Sequence, residues 1–150
     1  DEHSFPKGPT KRMHGVNLWP NNPQNFREII QKLIDKLTEI SFSILGGLEK
    51  ALEFPADYFT QEVYQNASSF WSLKLLHYVH SDTSLGVRSH EDYGFFSLII
   101  TKDPGLQISL PNGTLVSVSP QKGEIICLLG KSMAWISNGK ARGVPHHVLG

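Results

Sequence analysis

The sequence predicts a mainly β domain with a helical preface, and three features carry that expectation. From residue 68 onward, short runs rich in Val, Ile, Leu and aromatics recur: "SLKLLHYV", "FFSLIIT", "GLQISL", "TLVSVS", "EIICLLG", "MAWIS" and "GVPHHVL". Between them stand "SDTSLG", "KDPG", "PNG", "PQKG" and "SNGKARG", the glycine, proline and asparagine punctuation of tight turns. Ahead of them, Phe26, Ile29, Ile30, Leu33, Ile34, Leu37, Ile40, Ile44, Leu45, Leu48 and Leu52 follow the three-and-four spacing of an amphipathic helix. Short, regularly punctuated strands point to a sandwich or barrel.

Each element can be justified in order. Pro6, Pro9, Pro20 and Pro23 with Gly8 and Gly15 make residues 1–25 an irregular lead-in. Asn22 is placed to cap a helix with Pro23 at its first position, where the missing N–H costs nothing. The long helix follows, and Gly46 and Gly47 are the points at which it is expected to bend or break, each costing about 1 kcal/mol relative to alanine. A shorter helix is expected over Ala56 to Tyr64, so residues 26–67 form a helical segment and 68–150 a β core, all within one domain. The chain's 150 residues are enough for one domain and one core.

Charge narrows the partners. Lys plus Arg and Asp plus Glu each number 14, so no overall field draws the chain to nucleic acid or to an anionic membrane. A small-molecule partner fits better. No run reaches the roughly 18 to 20 apolar residues of a membrane span. The one cysteine, Cys127, lies in a run that reads as a buried strand and cannot form an internal disulfide; a cytoplasmic setting is the simplest expectation. Asn66 and Asn112 match the glycosylation pattern, which in such a setting carries nothing.

The chemistry is concentrated in "VRSHEDYGFF". On a strand, His90 and Asp92 point to one face while Glu91 points to the other. An imidazole and a carboxylate side by side supply two positions of a two-histidine, one-carboxylate site, whose open positions suit non-haem Fe(II). The third ligand must come from another strand. "GVPHHVLG" offers His146 and His147, and as strand neighbours only one of them can point inward. His77 and His80 in "HYVH" sit three apart, on opposite faces of a strand, and read as structural or surface groups; His3 and His14 lie in the lead-in.

Taken together, "GVRSHEDYGFFSLII", "GLQISLPNGTLVSVSP", "GEIICLLGKSMAWISNG" and "PHHV", with "HGVNLWP" and "SLKLLHY" upstream, resemble the isopenicillin N synthase-like branch of the Fe(II)- and 2-oxoglutarate-dependent dioxygenases. The resemblance covers nearly the whole chain. It implies a double-stranded β-helix, or jelly roll, in residues 68–150, with Fe(II) held by His90, Asp92 and His146, and His147 in the slot usually filled by arginine. It implies Tyr78 as a contact for a carboxylate of the co-substrate or substrate, and 2-oxoglutarate and O2 as co-substrates in the oxidation of a small organic molecule by hydroxylation, desaturation or cyclisation.

The family's Arg-x-Ser pair, which binds the far carboxylate of 2-oxoglutarate, lies beyond the distal histidine and has no counterpart before Gly150. The chain is therefore expected to be an incomplete jelly roll, a central piece with an exposed sheet edge. Lys131 and Arg142 are the nearest cations and read as solvated. Tyr93, Phe95 and Phe96 are candidates for a pocket wall but read more simply as core. Two other functions stay open: an oxidase of the isopenicillin N synthase kind that uses no 2-oxoglutarate, and a catalytically inactive metal-binding fragment.

Overall fold

The computed structural model describes residues 17–64, 71–78 and 85–149. The expectations for His3, His14, Asn66 and His80 lie outside the described residues. The chain divides into two compact units, Asp1–Ser41 and Phe42–Gly150.

The long helix α1 spans Phe26–Ala51. It begins three residues after Pro23, because the Pro23 carbonyl already accepts the Phe26 N–H at 3.0 Å and the Asn25 carbonyl the Ile29 N–H at 3.0 Å. Asn22 and Pro23 thus precede the helix and do not form its first turn. In the first unit, Ile30 and Ile34 are buried, one turn apart. Lys32 pairs with Glu28 at 2.7 Å and Lys36 with Glu39 at 2.8 Å on the wet face. The Trp19 ring tilts against Phe26 at 6.3 Å, with the Arg27 guanidinium 5.7 Å from its centre.

In the second unit α1 runs through Gly46 and Gly47 without breaking. The helix-weakening cost of the two glycines is offset by what flanks them: Leu45 is buried and Leu48 and Leu52 pack on the same cluster. The helix ends with Glu53 in the left-handed region (φ 62°), which lets the Phe54 N–H reach back to the Glu49 carbonyl at 2.8 Å. The Glu53 carboxylate then pairs with the Lys140 ammonium, and this hydrogen-bonded pairing holds the Glu53 carboxyl below its usual range.

The expected second helix is reduced to a π-helical turn, Phe59–Tyr64. Asp57, at φ 59°, interrupts any helix running in from Ala56. Buried Glu49 reaches across from α1 and accepts the N–H of Phe59 at 2.9 Å and of Asp57 at 3.2 Å. A carboxylate from one element thereby satisfies the free donors at the start of another.

Among the described residues of this unit there follow six strands and one further helix: β1 Leu85–His90, β2 Phe96–Ile99, β3 Leu106–Ser109, β4 Leu115–Ser117, β5 Ile126–Leu129, α2 Lys131–Ile136 and β6 His146–Leu149. They form a four-stranded sheet in the order β1-β6-β3-β4 and a two-stranded sheet β2-β5. All pairings are antiparallel. Chain order and spatial order differ, as a jelly roll requires.

Three strand expectations need correction. Residues 72–78, the described part of "SLKLLHYV", form no strand. "MAWIS" is the helix α2: its i, i+3 pair Met133 and Ile136 turns to the core, leaving Trp135 85% exposed, which a strand could not do with Met133 and Trp135 on one face. Cys127 is exposed and not buried, because the pleat of β5 sends Leu128 inward and Cys127 out. Its neighbours still cover enough of the thiol to push its pKa up.

The core of this unit gathers Leu45, Phe59, Met133 and Ala141, with Phe54, Tyr58, Phe95, Phe96 and Leu129 packed on them. Phe59 lies edge-on to Phe54, Tyr58 and Phe95, each at 5.3 to 5.4 Å. Phe95 and Phe96 are thus core residues, whereas Tyr93 is 66% exposed. Truncating Phe59, with 0% exposure, to alanine should cost about 3–5 kcal/mol in urea denaturation; Trp135→Ala should change the midpoint little.

Candidate metal centre

The strand β1 ends at His90, and Asp92 lies beyond it in the loop 91–95. The alternation argument therefore does not place Asp92; backbone bonds do. At the end of β5 the chain turns through Gly130 into α2, whose first N–H groups have no partner within the helix. They point at the loop. The N–H of Gly130 donates to the Phe95 carbonyl at 2.9 Å, that of Lys131 to the Asp92 carbonyl at 2.8 Å, and that of Ser132 to the Tyr93 carbonyl at 3.2 Å. The Ser132 hydroxyl adds a bond to the same Tyr93 carbonyl at 2.5 Å.

This approach is close enough to require glycine. A Cβ on Gly130 would collide with the Gly94 carbonyl oxygen and lie 2.9 Å from that of Asp92, both backbone atoms that cannot swing aside. At Gly143 the near contact is with the end of the flexible Glu91 side chain, which can swing aside.

His90 and His146 meet by register. They are direct cross-strand partners in the β1–β6 pair, with ring centres 4.4 Å apart. The register shifts twice along β1, between Leu85 and Val87 and between Val87 and His90. Each shift inserts one extra residue on β1. Without them, the pairing that sets Leu85 opposite Leu149 would bring Arg88, two residues early, opposite His146. On its other side β6 pairs with β3, where Ile108 faces His146. His146 is 5% exposed, while its neighbour His147 is half-buried across from Gln107. Of the two adjacent histidines, His146 is the one that joins the cluster.

Both rings are held in the same way from behind. His90 Nδ1 lies 2.9 Å from the Arg88 carbonyl and His146 Nδ1 2.9 Å from the Val144 carbonyl. A carbonyl oxygen only accepts, so each Nδ1 carries a proton, which in the neutral ring leaves the lone pair on Nε2. These lone pairs face Asp92: His90 Nε2 is 3.6 Å from Oδ1 and His146 Nε2 is 3.9 Å from Oδ2. Both distances exceed a hydrogen bond. Asp92 Oδ2 accepts instead from the Ser97 hydroxyl on β2.

With the rings neutral, three acceptors converge, one ligand atom from each residue lying within 4.8 Å of the others. Such a set repels itself unless a cation lies among its members. Metal bonds of about 2.0–2.2 Å allow two ligands of one ion to stand up to about 4.3 Å apart, and 3.6 and 3.9 Å fall within that reach. Two imidazoles and one carboxylate fit a divalent transition metal with positions left open. The cluster is closed on the His146 side and open at His90, whose side chain is 43% exposed.

The Tyr78 ring packs over Gly86, where a Cβ would lie 2.8 Å from its Cδ1. Gly86 is four residues before His90, roughly 13 Å along an extended strand. Lys131 and Arg142 are exposed, as expected, and so is His77. Sequence reasoning missed Ser97, Gly130 and the carbonyls of Arg88 and Val144; only the glycine had a local signal, at the end of an apolar run.

A family model described as the 2OG-Fe(II) oxygenase superfamily matches residues 70–149. Among curated proteins, a homoarginine-6-hydroxylase of Arabidopsis thaliana is 30% identical over 143 residues, covering 93% of this chain and 40% of its own length. Flavanone 3-dioxygenase 2 of Oryza sativa subsp. japonica is 25% identical over 133 residues, covering 87% and 39%. The chain spans less than half the length of these relatives. Among solved structures, a 2OG-Fe(II) oxygenase family protein from Caulobacter crescentus superposes with a TM-score of 0.75 at 17% identity, over 97% of this chain and 48% of that one. A full-length Neurospora crassa protein in complex with alpha-KG superposes with a TM-score of 0.68 at 18% identity, over 88% and 46%. These likenesses show the double-stranded β-helix fold.

Replacing Gly130 with alanine should force the loop 91–95 away from α2 and carry Asp92 out of reach of the histidines. Mn(II) affinity, read by equilibrium titration, should fall at least about tenfold while far-UV dichroism is retained.

Proposed function

Because this chain belongs to the 2OG-Fe(II) oxygenase superfamily, we propose that His90, Asp92 and His146 hold Fe(II) and that the chain carries the metal-binding core of an oxygenase acting on a small organic substrate with 2-oxoglutarate and O2. The observation that supports this most is the convergence of two Nε2 lone pairs and a carboxylate around one point. When bound, Fe(II) supplies open coordination positions at which the co-substrate and O2 can be brought together for oxidation of a substrate C–H bond.

The residues of the chain have distinct tasks in this reading. The carbonyls of Arg88 and Val144 hold Nδ1–H of the two imidazoles and so aim Nε2 toward Asp92, and the rings need not turn before a metal enters. Asp92 brings the negative charge that matches a divalent cation. Burial of His146 keeps water from one side, and the exposed His90 side leaves a path for co-substrate and substrate. Tyr78 is assigned a carboxylate contact on the resemblance of "SLKLLHY" to the family's segment before its metal strand.

The finer assignment, to the isopenicillin N synthase-like branch, rests on the ordered motifs from "GVRSHEDYGFF" to "PHHV". Hydroxylation of a small amino acid derivative is the outcome favoured by the homoarginine-6-hydroxylases among its relatives. A cytoplasmic location belongs to the same proposal and is supported by the lone cysteine. Equal numbers of acidic and basic residues favour neither nucleic acid nor a membrane surface as a partner.

An anaerobic Fe(II) titration of this chain beside Asp92→Ala and His146→Ala tests the proposal. One Fe(II) per chain, lost in both variants, is the expected result, and succinate formed from added 2-oxoglutarate in air would extend it to turnover. A folded chain that binds no Fe(II) would refute the site; iron binding without turnover would leave a metal-binding fragment.

A further inference from the structure

The metal centre opens at His90, whose side chain is 43% exposed against 6% for His146. A ligand that enters there passes the residues beside His90 on β1, an edge strand of its sheet. Arg88 is the cation among them. It stands two residues before His90, about 7 Å along an extended strand, a distance that an arginine side chain spans. Its carbonyl already lies 2.9 Å from His90 Nδ1, so its backbone is part of the site.

The guanidinium has no such task. Arg88 is exposed, and no hydrogen bond or ion pair reaches its side chain from the described residues. The acids that follow it in the chain are turned elsewhere: Asp92 presents its oxygens to His90, His146 and Ser97, and the Glu91 carboxylate lies against Gly143. The ladder is also broken at this point. Between the pairs Val87–Val148 and His90–His146 stand two residues of β1, Arg88 and Ser89, and only His147 of β6. A bulge of this kind leaves one residue out of the ladder and bends the strand, a device that re-aims side chains beside functional sites.

We propose that Arg88 is a specificity-determining residue that selects substrates bearing a carboxylate, which its guanidinium holds beside His90. The inference rests on the metal reading above and names its substrate class, a small organic acid such as an amino acid derivative with a free carboxylate. A guanidinium carries its donors in a planar fork that matches the two oxygens of a carboxylate, and it stays charged at any working pH. With a divalent ion held by two neutral imidazoles and one carboxylate the centre is net positive, so ion and guanidinium attract an anion together. A substrate fixed by its carboxylate is also oriented, which decides the C–H bond it presents.

Two pairs of probes test this: L-arginine with L-argininamide, which lacks the carboxylate, and 2-oxoglutarate with 2-oxobutyrate, which lacks the far one. Each is titrated against the unsubstituted chain, Arg88→Gln and Arg88→Lys, every form first saturated with Mn(II). Relaxation of the probe protons by the bound ion reports binding near the metal without any turnover. L-Arginine is expected to bind the unsubstituted chain about tenfold or more tightly than its amide. Arg88→Gln should bring the acid to the level of the amide, and Arg88→Lys should lose less, since it keeps the charge without the fork. If acid and amide bind alike to the unsubstituted chain, or if Arg88→Gln keeps the preference, selection by Arg88 is overturned and the metal site stands. A loss in Arg88→Gln seen with 2-oxoglutarate alone would give Arg88 to the co-substrate and overturn the substrate assignment. If the unsubstituted chain binds no Mn(II), the metal reading itself falls and this inference with it.

Discussion

The candidate site depends on how the start of α2 grips the loop 91–95. A helix must find partners for its first N–H groups, and here those of Gly130, Lys131 and Ser132 spend themselves on the carbonyls of Phe95, Asp92 and Tyr93. Asp92 follows β1 by two residues and would otherwise ride on a loop with no sheet bonds of its own. The grip works because Gly130 has no side chain; any Cβ would strike two carbonyl oxygens of the loop. Core packing secures the grip from the far side, since Met133 anchors α2 among Leu45, Phe59 and Ala141, and Phe95 leaves the loop into the same cluster.

With Asp92 fixed, the histidines complete the site by geometry of another kind. Antiparallel pairing makes His90 and His146 direct neighbours, and the two bulges of β1 select His90 over Arg88 for that place. Each ring is then locked by a carbonyl two residues earlier in the chain. Backbone groups therefore set the position of all three side chains and the tautomer of both imidazoles. A site whose donors are fixed before a metal arrives loses little entropy on binding it.

Much of this was legible in the residues, and the failures have physical causes. The periodic apolar run of α1 was legible because burial of one helical face writes itself into spacing; its start was misjudged because the Pro23 carbonyl is already used in a turn. "MAWIS" reads as a strand by composition, yet the loop 91–95 takes the N–H groups of Gly130, Lys131 and Ser132 just ahead of it and favours a helix. His90 and Asp92 were placed on one strand face by alternation, whereas the strand stops at His90 and a loop carries Asp92 to the same region. The choice between His146 and His147 could not be read from strand alternation alone, because it turns on which face of β6 is covered. Ser97 was invisible, since its partner lies five residues away across a turn and a serine in a strand announces nothing.

The central claim is that His90 and His146 present unprotonated Nε2 atoms to one point shared with Asp92. Long-range nitrogen–proton NMR of the histidine side chains tests it most directly, first on the metal-free chain at a pH where the rings are neutral and then with one equivalent of Zn(II). The account predicts that both rings carry the proton on Nδ1 before metal, and that Zn(II) shifts the Nε2 signals of these two histidines and leaves those of His77 and His147 in place. A proton on Nε2 of either ring, or Nε2 signals that ignore Zn(II), would contradict it.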